Sequence, residues 1–277
     1  MNIRNSIFAG RFYPADSSEL KRKIGAMIEK AERNRDSALK TGIAPHAGII
    51  YSGWTAAHLY SMIDPDAYER IVFIGPSHHH LFSGFAVTDY DQWNTPLGSL
   101  DIDRDFQEGL LSDSVIIDNR VHDNEHSLEV QMPFVRYIAG DKLKIVPILM
   151  GRQDRKHINL MLDKISDMDT EKTLFIASSD LYHGYDYDEG NDIDNNTIGE
   201  IEQNSMKKFM DYFVDMESEN TACCCGGGPI GIILGLNRMN NLAVRLLNHS
   251  TSSDITGDYS GYNVGYAAFG GFDNGKK

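Results

Sequence analysis

The chain has 277 residues, 41% of them hydrophobic and 24% charged, with a formal net charge of -14. That length suits one large α/β domain or two small ones and allows a sizeable core. The acidic balance, with no basic stripe, excludes nucleic acid and anionic membrane surfaces as expected partners, and no apolar run is long enough to span a bilayer.

The N-terminal MNIRNSIFAG carries no signal-peptide core. Cys223, Cys224 and Cys225 are adjacent, which rules out a disulfide framework between them. A cytoplasmic chain with reduced thiols is the expectation.

Ile7–Pro14 reads as an aromatic loop. Asp16 with Glu19 resembles a capping box, opening a helix to about Arg33 with Leu20, Ile24, Met27 and Ile28 at helical spacing. Ile43-Ala44 is a short buried strand running into Pro45-His46, and Gly53–Ile63 a helix. Arg70–Ile74 is an apolar, β-branched strand closed by Gly75-Pro76 and followed by His78, His79 and His80. A strand at Phe85–Thr88, a turn-rich loop at Trp93–Asp103 and a helix over 104–111 follow. Glu125–Ile138 reads as one helix kinked at Pro133.

Leu143–Met150 is a buried strand whose Pro147 suggests a bulge or an edge. His157–Ile165 is an amphipathic helix, and Thr173–Ala177 an inner strand leading into Ser178-Ser179-Asp180-Leu181-Tyr182-His183. Tyr185–Asn195 reads as an acidic, aromatic loop and Asn196–Phe213 as a single helix. Thr221–Pro229 is a tight loop before a helix at Ile230–Met239, and Leu242–Leu247 and Val264–Phe269 are closing strands. Strands alternating with helices, without repeats or a dividing linker, predict one α/β domain over residues 1–277, with a central mixed, largely parallel sheet flanked by helices.

Three strand ends present histidine: His46, His78 and His183. If those strands are parallel neighbours, the imidazoles share one sheet edge, where open α/β sheets keep their sites. Imidazole is both the commonest transition-metal ligand and the usual base near neutral pH. Singly, each is a satisfied strand-end residue; the convergence of three points to metal or acid–base chemistry. Asp180, three residues before His183, could fix its tautomer or bind metal itself. Cys225 precedes Gly226-Gly227-Gly228-Pro229 and a helix, and a helix N-terminus favours thiolate; small buried thiols are the plain alternative for all three cysteines. Glu125 or His126 could reach the cluster, or simply serve a helix start. His79 and His80 are placed in an outer shell or at the surface, and His58 is structural. Tyr51, Tyr182, Tyr185 and Trp93 could line a pocket, or be ordinary loop packing. Neither G-x-S-x-G nor a dinucleotide fingerprint occurs.

Seven blocks then carry a resemblance: PHAGIIYSGWTAAHLY (Pro45–Tyr60), GPSHH (Gly75–His79), TPLGSLDID (Thr95–Asp103), EHSLEVQMPF (Glu125–Phe134), IVPILMG (Ile145–Gly151), SSDLYH (Ser178–His183) and VGYAAF (Val264–Phe269). Together they resemble the Memo family, whose bacterial and archaeal members are also called the B protein of the AmmeMemoRadiSam system. The resemblance implies a fold similar to class III extradiol dioxygenases of the LigB type, and a metal pocket for iron or copper, with zinc possible. It implies His46, His78 and Cys225 as metal ligands, with Cys224 as a substitute because CCCGGGP replaces a single cysteine, and His183 as the acid–base residue; Asp180 and His126, from their own positions, join it in the expected catalytic set. A thiolate ligand softens such a site toward copper(I) or zinc. The functions expected are a metal-dependent redox or dioxygenase-like enzyme of unknown substrate, a non-enzymatic binding or scaffold module for a peptide or a small aromatic anion, or an accessory to a radical-SAM enzyme.

Overall fold

A computed structural model describes residues 2–31 and 39–274. Its centre is four parallel strands side by side: Leu39–Ala44, Thr173–Ser178, Arg70–Pro76 and Lys144–Met150. Their side chains alternate between two cores. Ile71 and Phe73 pack toward the helices Ser17–Lys30, Ile49–Tyr60 and Met132–Ala139. Val72 and Ile74 pack toward Arg155–Ser166, Met206–Ser218 and Gly227–Met239. On one flank Phe85–Val87 runs antiparallel to Lys144–Met150, with Val115–Ile117 outside it. On the other, Asn263–Asp273 runs antiparallel to Leu39–Ala44 and also pairs with Leu242–Thr251 and with the short strand His183–Gly184. The expected fold, one α/β domain on a mixed and largely parallel sheet, is the fold found. Among the described residues, no helix is long and apolar enough to cross a membrane.

Several local expectations change. Asp16 caps the first helix by accepting from the Glu19 N–H, and the helix ends at Lys30, so the end expected near Arg33 lies outside the described residues. The 125–138 helix is two, His126–Glu129 and Met132–Ala139, because Pro133 sits in the first turn of the second, where its missing N–H costs nothing. Asn196–Phe213 is not one helix: Tyr187–Glu202 starts within the expected loop on an Asp186 cap, and Met206–Ser218 restarts on a Ser205 cap. Between them Asn204 takes a left-handed φ of 52°, which breaks the rod. The turn-rich segment before Asp103 is a hairpin, Gln92–Thr95 with Gly98–Asp101. Pro147 lies in an inner strand with unbroken register against Arg70–Pro76. Two residues earlier, and so facing the same way, the Ile145 carbonyl accepts from the Asp103 N–H. Pro147 therefore turns its missing donor away from the central ladder.

A buried ion pair ties the N-terminal segment to the helix that follows Glu125. Arg4 pairs with Glu129 at 2.5 Å and stacks 4.3 Å above the Trp93 ring. Its remaining donors reach the carbonyls of His122 and Glu125. Glu129 also accepts from Tyr13 Oη and from the N–H groups of Ile7 and Phe8. Truncating one partner strands the other charge in the interior. We predict that Glu129→Gln destabilises the chain by about 3 kcal/mol in denaturant unfolding; a loss under about 1 kcal/mol would refute this reading.

His122 lies in the same interior, fully buried, donating from Nε2 to the Ala86 carbonyl. Burial first, and Arg4 second, lower its pKa to about 3. Unfolded, it titrates near its ordinary 6.5. Between those values only the unfolded chain takes the proton, so stability is flat above the upper one and falls below it. The expected slope is up to about 1.4 kcal/mol per pH unit from this residue. Urea unfolding with chelator from pH 7 to 4 checks it: His122→Asn should have a slope shallower by about one proton.

Candidate metal centre

The strand order brings the three expected strand ends together, because Leu39–Ala44, Thr173–Ser178 and Arg70–Pro76 are consecutive and parallel. One ring nitrogen each from His46 and His78 and the Cys225 Sγ lie within 4.8 Å of one another. His46 Nε2 stands 3.3 Å from the sulfur. Donors around a tetrahedral ion are roughly 3.5 Å apart, so this group could hold one.

Hydrogen bonds fix which nitrogens are available. The Ser178 hydroxyl donates to the Ser127 carbonyl at 2.5 Å and accepts from Gln131 Nε2 at 2.8 Å. It has no second hydrogen to give, so His46 Nδ1 must donate to it across 2.9 Å. That leaves a lone pair on His46 Nε2, the atom beside the thiol. Gln131 is held in turn by Tyr60 Oη, which donates to its Oε1 at 2.6 Å. His78 Nδ1 donates to Glu125 Oε1 at 2.9 Å, and a second oxygen of Glu125 takes the His78 N–H. His78 Nε2 is thereby free as well. A carboxylate behind a ligating imidazole is a usual support for metal binding.

Cys225 is brought in by glycines. A Cβ at Gly226 would stand 2.7 Å from the Ser179 Cβ, and one at Gly227 2.4 Å from the Phe213 ring, so only glycine lets this turn press onto the strand end. Gly226 N–H donates to Ser179 Oγ, and Gln153 bridges the Cys225 carbonyl and the Gly228 N–H. The Asp180 N–H donates to the sulfur at 3.2 Å. Cys223 and Cys224 are buried in the apolar core on that side of the sheet, so the register question falls to Cys225. The expected lowering of its pKa by the helix start is overturned: burial, followed by the Asp180 carboxylate, raises the thiol well above its ordinary value.

Asp180 does not orient His183. Its Oδ1 accepts the N–H of His46 at 2.7 Å and of Ala47 at 3.3 Å, holding the turn that carries His46. His183 Nδ1 instead donates to the Leu181 carbonyl, which again leaves Nε2 open. Behind it, buried Asp194 accepts the Tyr182 N–H and pairs with His249 at 2.8 Å, a support that sequence reading missed. His126 stacks on His78 with ring centroids 4.6 Å apart and sits 5.4 Å from the His46 ring. Burial, and then His46, lower its pKa to about 3, and His46 is lowered by burial first and His78 second. Burial works to raise the Glu125 pKa, but His78 and the Ser127 N–H bring it to about 2. Burial thus favours neutral rings at His46 and His126, beside the ionised Glu125 carboxylate.

Phe12, Tyr51, Asp180, His126 and His183 face a cleft of about 500 Å³ beside this group. Among the other aromatics named from sequence, Trp93 is buried under Arg4, away from the cleft, and Tyr185 packs edge-on against Tyr262. His79 and His80 are exposed, His58 bonds its own helix at the Trp54 carbonyl, and His157 bonds its own cap, Asp154.

Residues 4–270 match the family model described as Memo-like protein. The chain is 34% identical over 272 residues to a MEMO1 family protein of Methanosarcina acetivorans, covering 97% of this chain and 98% of that one. It is 36% identical over 270 residues to a MEMO1 family protein of Thermoplasma acidophilum, covering 96% and 97%. Among solved structures, an uncharacterized protein from Escherichia coli K12 has a TM-score of 0.57 at 12% identity, over 83% of this chain and 99% of that one, which shows a shared fold. With the fold, the ordered sequence blocks and the whole-length relatives in agreement, the chain belongs to the Memo family.

Proposed function

We propose that the chain is a metal-dependent enzyme holding one ion at His46, His78 and Cys225 and acting on a small molecule in the adjoining cleft. The observation that carries this is the pair of oriented rings: hydrogen bonds behind both imidazoles engage their Nδ1–H groups and turn their Nε2 atoms toward a thiol. The His46 Nε2 lone pair, the Cys225 sulfur and the His78 ring nitrogen converge on one point, where a cation takes all three donors at once. Two imidazoles and a thiolate suit iron, copper or zinc, with the sulfur favouring copper(I) or zinc. When bound, such an ion supplies Lewis-acid or redox chemistry. His183 Nε2 is the group of this chain that takes or returns a proton, Leu181 holding its ring in register. Asp180 keeps the His46 turn in place. The aromatic lining supports a second reading, ligand capture without turnover, which predicts affinity indifferent to chelators.

Cobalt(II) titration of chelator-stripped, reduced protein tests the metal reading. One ion per chain is expected, with His46→Ala and Cys225→Ser abolishing tight binding; a folded chain that takes up no ion would overturn it. Uptake must expel the thiol proton, so affinity should rise with pH, with about one proton released per ion. Ser178→Ala, which frees the His46 tautomer, should weaken binding about tenfold or more.

A further inference from the structure

The cleft has a charge character of its own. Tyr51, Tyr262, Tyr266 and Phe12 present rings to it, Asp180 and Asp258 are its acidic lining, and among the described residues no Lys or Arg lines it. Tyr51 and Tyr262 are 39% and 52% exposed, and Tyr185, at 77%, packs edge-on against Tyr262 with centroids 5.0 Å apart. Exposed rings grouped beside a cavity mark a surface suited to a ligand. Ring faces attract cations, and a carboxylate at the same mouth adds to that attraction. Asp258 Oδ1 accepts the N–H and hydroxyl of Ser260, which fixes the carboxylate on the turn that also brings Gly261 to the cleft.

A loaded metal centre does not reverse this sign. The Cys225 thiolate and the Glu125 carboxylate already offset a divalent ion before Asp180 is counted. Among the described residues, an anion entering the cleft would meet no Lys or Arg, only the His126 and His183 imidazoles, and at least one fixed carboxylate.

We propose that the cleft takes a small organic cation, an ammonium group carried on an aromatic or apolar body, received by the Tyr51 and Tyr262 rings and by Asp258. This deepens the functional reading above by naming the ligand class, and it rests on that reading only for what happens to the ligand afterwards.

Three probes of one shape separate the cases: 2-phenylethylammonium, 2-phenylethanol and 3-phenylpropionate. They are titrated calorimetrically into the full chain, once with chelator and once loaded with zinc, and metal content is measured on the same samples. The ammonium should bind at least about tenfold tighter than the carboxylate, with the alcohol between, in both states. Asp258→Asn and Tyr262→Leu, both at exposed positions, should each bring the ammonium down toward the alcohol while metal content stays unchanged. Carboxylate binding as tight as the ammonium's, no binding of the ammonium at millimolar concentration, or an unaltered preference in both variants would overturn the proposal. Metal content that fails while the preference survives would instead sink the metal reading and leave this one standing.

Discussion

The Ser178 hydroxyl is the joint on which the candidate centre turns. It is fully buried and engaged in every direction, giving its one hydrogen to the Ser127 carbonyl and receiving from Gln131 and His46. Those three partners come from the segment after Glu125, the helix break at Gln131 and the end of the Leu39–Ala44 strand. One hydroxyl thus couples a tautomer to the packing of three elements. Inside a protein such a fully engaged group resists rearrangement, since any partner that leaves strands a polar atom out of reach of water.

The same logic recurs around the cluster. Glu125 uses both oxygens on His78, and Asp180 spends one oxygen on two backbone N–H groups at His46. The carboxylates therefore act on geometry first and on charge second. That division explains why burial can keep His46 and His126 neutral while the acids beside them remain anchored. It also explains why Cys225 sits under an N–H donor and still holds its proton: an isolated thiolate in this interior lacks a counter-charge.

Much of this was legible in the sequence, for identifiable reasons. Inner strands closed by Pro45, Pro76 and Ser178-Ser179 are continuous apolar runs, and the polar residues after them fall on one edge once the strands are parallel. The short-range breaks were harder. Nothing in Asn196–Phe213 signals that Asn204 adopts a left-handed turn, because apolar spacing continues on both sides of it. Long-range hydrogen bonds were out of reach altogether: Gln131, Ser178 and Asp194 look like ordinary polar residues until the fold places them. The Asp180–His183 pairing was misread because three-residue proximity was taken for contact, whereas the backbone points the carboxylate back toward His46. Likewise the helix start behind Cys225 is a weak field compared with removal of the sulfur from water.

The strand Asn263–Asp273 has a consequence for how the chain is made. It does not lie at an edge: it fills the slot between Leu39–Ala44 and Leu242–Thr251, with Phe269 opposite Ile43. A nascent polypeptide therefore carries an unpaired, apolar strand margin at Leu39–Ala44 until Asn263–Asp273 has emerged. Contacts so remote along the chain form slowly, and open margins of this kind are prone to pairing with the wrong neighbour. Since His46 hangs from that waiting strand, the centre is among the last features of the molecule to take shape, and chains lacking that strand would reach a ribosome exit with one flank of the sheet still open.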